Sequence, residues 1–360
     1  MKILHVITSL AIGGAEKLMV DLLPRLRDMG NNVDLLLFDG TRTPFYDQLQ
    51  AQGIKIYSFS EGGNVYNPLN IIKLMKYIGN YDVVHTHNTA CQLFAALASV
   101  VYSVVLCTTE HTTSNRRRDW KWYHRIDKWM YSRYSKVICI SDQAEKNLID
   151  YIDNENDNIT TIYNGVDIKR FIEAEKTYLL PKLPQNCVKI IMVAGFRYQK
   201  DQLTLIKAMS MLGDNYHLLL VGDGERRKDI ENLINTLDMQ SRVHLLGTRT
   251  DVPQLLKTAD VIVMSSHFEG LSLSNIEGMA CGKPFIASDV DGLREITSGY
   301  GIMFPHEDYK QLAFEIKHLM TDKLFYAQVA KRCQDRAKQF DISIMAEKYN
   351  EVYKNIIRMH

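Results

Sequence analysis

A chain of 360 residues with 46% hydrophobic and 24% charged residues has room for two domains, each with its own core, and is too ordinary in composition to be fibrous or disordered. Its 43 basic and 42 acidic residues leave a formal net charge of +1, which removes the general electrostatic case for nucleic-acid binding. Six scattered cysteines with no C-x-x-C pair argue against a disulfide framework or a metal site and fit a reducing compartment.

The first half alternates short apolar strands with amphipathic helices. Ile3–Thr8 predicts the first strand, and Met1–Ile12 lacks the long apolar region and cleavage site of a signal peptide. The strand runs into Gly13, Gly14, Ala15 and Glu16 and then a helical pattern over Ala15–Met29. A glycine pair there permits close backbone approach to a ligand and opens the helix with free N–H groups. Further strands are expected at Val33–Phe38, Ile54–Phe59, Val83–Thr86, Val104–Thr108 and Val137–Ile140, with a helix at Pro68–Tyr77. Alternation at this spacing implies parallel sheets covered on both faces. The apolar stretch Leu93–Cys107 is shorter than the roughly 20 residues a membrane span needs, so it reads as a buried helix followed by a buried strand. His85 and His87 flank one strand exit, and His111 follows another.

All three tryptophans, Trp120, Trp122 and Trp129, fall within residues 115–136, beside Arg116, Arg117, Arg118, Lys121, Arg125, Lys128, Arg133 and Lys136. Aromatic residues at helical spacing commonly face a core. The same composition suits an interfacial helix on an anionic membrane surface, and that is the expectation adopted.

The strand grammar restarts at Ile190–Ala194, Tyr216–Val221, Val243–Leu246, Val261–Met264 and Phe285–Ala287, and the chain reads as helical after Pro305. The expected division is a first domain over 1–170, a linker over 171–187, a second domain over 188–340 and a terminal helix over 341–360. Ligands of open parallel sheets sit beyond the carboxyl ends of the strands, which ranks the exits. The first holds Arg197 and Lys200, which together can clamp a diphosphate by a planar fork and a mobile point charge. The second opens on Gly222, Asp223 and Gly224, and the third on Gly247, Thr248 and Arg249. Turn formation explains the glycines of the second equally well.

After Val261–Met264 come Glu269, Gly270, Leu271, Ser272 and Leu273, then a helix expected to start near Leu271–Ser274 and to carry Glu277. A helix N-terminus behind a glycine-containing loop is a natural anion seat. Carboxylates on both sides of it suit a ligand with hydroxyls flanking a phosphate, which is the shape of a sugar nucleotide.

The stretch around Glu269 and Glu277 resembles the E-x7-E element of the retaining family 4 glycosyltransferases. Gly270, Ser272, Ser274, Gly278, Ala280, Gly282, Pro284 and Asp289 fit the pattern too. The resemblance implies two Rossmann-like domains facing a cleft (the GT-B fold), with the last helix crossing back to the first domain. It implies that Arg197 and Lys200 hold the donor diphosphate, that Glu269 orients the sugar and that Glu277 holds the ribose. It maps His111 beside the reacting sugar, with His87 as second choice, and places Gly13, Gly14, Gly222, Thr248, Arg249 and residues 270–273 around the nucleotide. Asn164–Asp167 matches a turn near the hinge.

The implied activity is retaining sugar transfer from a UDP- or GDP-sugar to a hydroxyl, expected to belong to a lipid-linked saccharide of cell-surface polysaccharide synthesis. The expected place is the cytoplasm, at the inner membrane face. A sugar-nucleotide epimerase and a non-catalytic partner subunit are the alternatives. Asp289-Val290-Asp291 spells D-x-D, a metal motif of a different glycosyltransferase fold. It is read here as a structural loop, with no metal and no cofactor expected.

Overall fold

The computed structural model describes residues 1–11, 13–112, 118, 120, 122–153, 158–177, 183–184 and 186–360. It divides into two compact units, Met1–Gly165 with Ile342–His360, and Val166–Asp341.

The first unit is a sheet of seven parallel strands in the order β3-β2-β1-β4-β5-β6-β7. Its strands are β1 (Lys2–Ile7), β2 (Asn32–Leu37), β3 (Lys55–Ser58), β4 (Val83–His87), β5 (Val105–Glu110), β6 (Lys136–Cys139) and β7 (Ile159–Thr161). Helices α1 (Gly14–Asp28), α2 (Pro44–Ala51), α3 (Leu69–Ile78), α4 (Thr89–Ala98), α5 (Tyr123–Ser132) and α6 (Asp142–Ile152) connect them. All five residues of β4 are buried, as expected of a central strand covered on both faces. Two separate apolar clusters fill those faces, one centred on α1 and the other on α3 and α4.

The second unit is a sheet of six parallel strands, β10-β9-β8-β11-β12-β13. After α7 (Ile168–Ile172) come β8 (Val188–Val193), α8 (Gln202–Ser210), β9 (Tyr216–Val221), α9 (Arg227–Thr236), β10 (Val243–Gly247) and α10 (Val252–Thr258). Then follow β11 (Val261–Met264), α11 (Leu273–Ala280), β12 (Phe285–Ser288), α12 (Arg294–Thr297), β13 (Ile302–Phe304), α13 (Tyr309–Thr321) and α14 (Lys323–Ala337). The chain then re-enters the first unit as α15 (Ile342–Arg358). Its buried stripe Ile342, Met345, Ala346, Tyr349, Tyr353 and Ile356 has the three-and-four spacing of one helix face and completes the α1 cluster.

Three sequence expectations need correction. The linker expected at 171–187 does not separate the units, because the chain passes between them at Gly165/Val166 and Asp341/Ile342. Of that linker, 178–182 and 185 lie outside the described residues, while Thr177 is tied into the second unit through its N–H, which donates to Thr258 Oγ1 at 2.9 Å. Strands β7 and β13 were not expected. Each is a three-residue sheet edge, too short to carry a period. The buried helix and buried strand expected over Leu93–Cys107 are both present, α4 to Ala98 and β5 from Val105, and the departure is confined to the connection, where Val100 and Val101 stand exposed.

Candidate active site

Strand order reverses between β1 and β4 in one sheet and between β8 and β11 in the other. Such switch points are where open α/β sheets leave a crevice at their carboxyl edge.

In the second unit, β8 ends at Val193 and its exit closes in one 3₁₀ turn, Tyr198–Lys200. Asp201, in the left-handed region, ends the turn and caps α8, its side chain accepting from Thr204 N–H. The neighbouring exit of β11 grips this turn. Ser265 Oγ donates to Asp201 O at 2.8 Å, and His267 N–H donates to Gln199 O at 2.8 Å. Residues 69 apart in sequence are thereby joined: Lys200 Nζ lies 2.5 Å from Glu269 Oε1, with the two side chains 19% and 5% exposed. Ser266 Oγ donates to the same carboxylate oxygen at 2.7 Å, and Gln199 Nε2 donates to the other at 3.4 Å.

Arg197 is exposed on the same turn. Among the described residues its guanidinium has no hydrogen-bond or ion-pair partner, so it faces solvent as an unneutralised cation.

Helix α11 begins at Leu273, two residues later than the earliest expected start, with Ser272 at the N-cap and no side-chain cap. Its first N–H groups are therefore available to an anion. Glu277 is half-buried one turn inside. Gly270 and Leu271 form the approach, and Gly292 closes over it. At φ +79°, a Cβ on Gly292 would collide with the carbonyl oxygens of Glu269 and Gly270, so only glycine lets the two loops meet.

Gly222 is likewise dictated by proximity. At φ +140° it packs so tightly against Ala194 that a Cβ would strike the Ala194 carbonyl. The Gly-Asp-Gly turn thus braces the β8 exit, and Phe196 N–H donates to Asp223 O at 3.0 Å. Thr248 is exposed beyond β10. Arg249 is committed to Asp251 through Nε and Nη2 at 2.8 and 2.6 Å, so its guanidinium is already half used.

Asp289 and Asp291 of the D-x-D are both held by Arg294, at 2.5 and 2.9 Å. A guanidinium sits where a metal reading would place the cation.

In the first unit, α1 opens behind Gly13 with no side-chain cap, and the Glu16 carboxylate folds back over Gly13. Burial raises the pKa of Glu16, with its own backbone N–H acting in the opposite direction. Ile12 lies outside the described residues. β5 extends through Glu110, two residues beyond its expected end, and His111 follows directly. His111 lines a cavity of about 240 Å³ with Thr8, Asn88, Gln92, Glu110 and Thr112. Burial lowers the His111 pKa to about 4, the Glu110 charge opposing the shift. His87, the second choice, is fully buried, and its Nδ1 lies 2.9 Å from His111 Nε2.

Sequence reasoning missed Ser266, Gln92 and Glu110. Glu110 is a buried carboxylate accepting from Gln92 Nε2 at 2.5 Å and Tyr131 OH at 2.6 Å, with Arg118 at 3.4 Å. No periodic signal marks a polar residue that ends a buried strand.

Two family models match the chain, "Glycosyltransferase Family 4" over residues 12–170 and "Glycosyl transferases group 1" over 181–340. The chain belongs to glycosyltransferase family 4. It is a glycosyltransferase of the hexosyltransferase type.

Among its relatives is the UDP-Gal:alpha-D-GlcNAc-diphosphoundecaprenol alpha-1,3-galactosyltransferase of Escherichia coli. That protein is 26% identical over 307 residues, which cover 80% of this chain and 79% of the relative. The N,N'-diacetylbacillosaminyl-diphospho-undecaprenol alpha-1,3-N-acetylgalactosaminyltransferase of Campylobacter jejuni is 30% identical over 204 residues, or 54% and 53% of the two chains. Among solved structures, Anabaena HepE in complex with UDP superposes with a TM-score of 0.86 at 24% identity, covering 99% of this glycosyltransferase and 100% of HepE. That likeness shows the GT-B fold. The relatives are named as transferases, which does not favour the epimerase or non-catalytic alternatives.

Proposed function

We propose that this glycosyltransferase moves a sugar, with retention at its anomeric carbon, from a UDP-sugar to a hydroxyl of a lipid-linked saccharide in cell-surface polysaccharide synthesis. The observation that carries the reading is the buried Lys200–Glu269 pair beside the unpaired Arg197 at the β8/β11 switch point. The uridine nucleotide is supported by the UDP in the HepE structure, and the acceptor class by the diphosphoundecaprenol saccharides named for the relatives.

In the transfer, the bond from C1 to the diphosphate oxygen breaks and one from C1 to the acceptor oxygen forms on the same face. The acceptor proton passes to the departing phosphate. Arg197, Lys200 and the N–H groups of α11 stabilise the charge that grows on that phosphate. Glu269 holds the sugar hydroxyls, Glu277 the ribose, and His111 a hydroxyl of the reacting sugar. Retaining glycosidases instead place two carboxyl groups about 5 Å apart around the anomeric carbon, and no such covalent nucleophile is assigned here.

Purified protein mixed with radiolabelled UDP- and GDP-sugars tests the reading. Slow UDP-sugar hydrolysis that turns into transfer on adding a polyprenyl-diphosphate saccharide is the expected result. No turnover of any donor with that acceptor would overturn it.

Transfer is proposed to be metal-independent, since Asp289 and Asp291 are both already paired with Arg294. Chelator should leave the rate unchanged. Loss restored by manganese or magnesium would overturn this, and would direct attention to His267, His306 and Glu307, whose ligand atoms lie within 4.8 Å of one another.

No helix among the described residues is long and apolar enough to cross a membrane. A peripheral site at the inner membrane face is proposed, through Trp120, Trp122 and Trp129, which are 54%, 65% and 38% exposed. Indole rings standing in solvent suit a headgroup layer. Arg125 and Lys128 are exposed beside them on α5. Arg118, expected among the lipid-facing cations, is instead buried against Glu110 and the Tyr151 ring. Arg116, Arg117 and Lys121 lie outside the described residues. Vesicles containing anionic lipid should bind the protein at low salt and release it at high salt, because a screened charge attraction weakens within a Debye length. Trp120→Ser with Trp122→Ser should weaken that binding, and wild-type protein that ignores such vesicles would remove the membrane proposal alone.

A further inference from the structure

Four histidines and two tyrosines of the first unit form one hydrogen-bonded chain. His111 Nε2 meets His87 Nδ1 at 2.9 Å, and His87 Nε2 meets His5 Nδ1 at 3.0 Å. His5 Nε2 lies 3.4 Å from the Tyr353 hydroxyl, which lies 2.6 Å from His85 Nδ1. His85 Nε2 meets Thr109 Oγ1 at 2.8 Å, and Thr109 Oγ1 meets the Tyr349 hydroxyl at 3.0 Å. The rings of His5, His85 and His87 stack, with centroids 4.5–5.3 Å apart. The other end of the chain opens on the cavity lined by His111.

Burial keeps every ring neutral, lowering the pKa of His5 to about 3 and that of His111 to about 4, and holding those of His85 and His87 well below the usual value. A neutral imidazole has one N–H and one bare nitrogen, and a hydroxyl donates once. Each ring that accepts from one neighbour must therefore donate to the next, and a hydroxyl that accepted from both would leave its own buried proton without an acceptor, so the chain runs in a single direction. The far end decides which. Thr109 is the hydrogen-bond partner of the Tyr349 hydroxyl, and no other occurs among the described residues. If the chain ran outward to Tyr349, that buried proton would have no acceptor, a penalty on the order of tenfold or more in population.

The chain therefore runs from Tyr349 to Thr109, His85, Tyr353, His5, His87 and finally His111 Nε2. His111 Nε2 is the acceptor, and the proton of this ring sits on Nδ1. Nδ1 has no partner among the described residues.

We propose that Tyr349 and Tyr353 of α15, acting through this chain, hold His111 as its Nδ1–H tautomer, so that it meets the sugar as a hydrogen-bond donor and not as a base. The proposal rests on the assignment of His111 to the reacting sugar. It fits a transfer in which the leaving phosphate takes the acceptor proton and no histidine base is needed. The tyrosines are positioning residues, and they tie the last helix of the chain to the site.

Long-range proton–nitrogen correlation spectra of ¹⁵N-histidine-labelled protein test it, with His111→Asn identifying the His111 signals. Wild-type His111 should show a protonated Nδ1 and a bare Nε2. Tyr353→Phe cuts the chain while keeping the ring, and should turn His111 into a tautomer mixture with kcat about three- to tenfold lower and the donor KM unchanged. Thr109→Val cuts it nearer Tyr349 and serves if Tyr353→Phe does not fold. A wild-type Nε2–H tautomer would overturn the proposal, as would wild-type spectra and kcat in both variants. Full activity in His111→Asn would instead remove the catalytic assignment of His111, a result read separately from the spectra.

Discussion

Lys200→Ala is expected to lower turnover by one to three orders of magnitude, about 2–4 kcal/mol of lost charge stabilisation on the leaving diphosphate. Arg197→Ala should act in the same direction. The two differ in stability. Arg197 is exposed and unpaired, so its loss should leave the unfolding midpoint in place. Lys200 is the ion-pair partner of Glu269, whose carboxylate is 5% exposed. Removing one partner of a buried pair costs about 3–5 kcal/mol, because the other charge stays behind. Lys200 retains 19% exposure, so the lower end of that range applies. Steady-state kinetics with subsaturating and saturating donor, beside a denaturant melt, separate the two effects. Lys200→Met with Glu269→Gln should recover part of the stability and none of the activity. Unchanged kinetics in both single variants would sink the clamp.

Glu269→Gln should lower turnover at least tenfold while leaving UDP affinity within about threefold, because it touches the sugar and not the nucleotide. Glu277→Ala should do the reverse, weakening UDP by roughly tenfold, the worth of a charged hydrogen bond to a hydroxyl. Calorimetry with free UDP reads the affinities and a donor-saturated assay reads kcat. The amide at 269 keeps the shape of the carboxylate and can still accept from Ser266. A loss of UDP binding in Glu269→Gln, with none in Glu277→Ala, would show the roles exchanged.

Much of this was legible in sequence because it depends on local pattern. Strand exits follow from where an apolar run stops, so the places of Arg197, Lys200, Glu269 and His111 at such exits are legible in the sequence alone. Other features depend on partners distant in sequence. Arg118 looked like one cation in a basic run, but Glu110 and Tyr151 bury it. Arg249 was expected around the nucleotide, and its guanidinium is held by Asp251. The Asp289-Val290-Asp291 motif carried no sign of Arg294.

The sequence by itself determined the two α/β halves, the family and the identity of the charged residues at each exit, since hydrophobic period, glycine placement and the E-x7-E spacing are properties of short segments. Tertiary structure alone decided which exits are neighbours. Strand order puts β8 beside β11 and β1 beside β4, and that pairing brings Lys200 to Glu269 and His5 to His87. It also decided that α15 lends two tyrosine hydroxyls to a histidine chain more than 200 residues earlier. The three-and-four spacing of α15 seats those tyrosine rings in the α1 cluster. Their hydroxyls acquired a role only because a buried polar atom must find a partner wherever the fold supplies one.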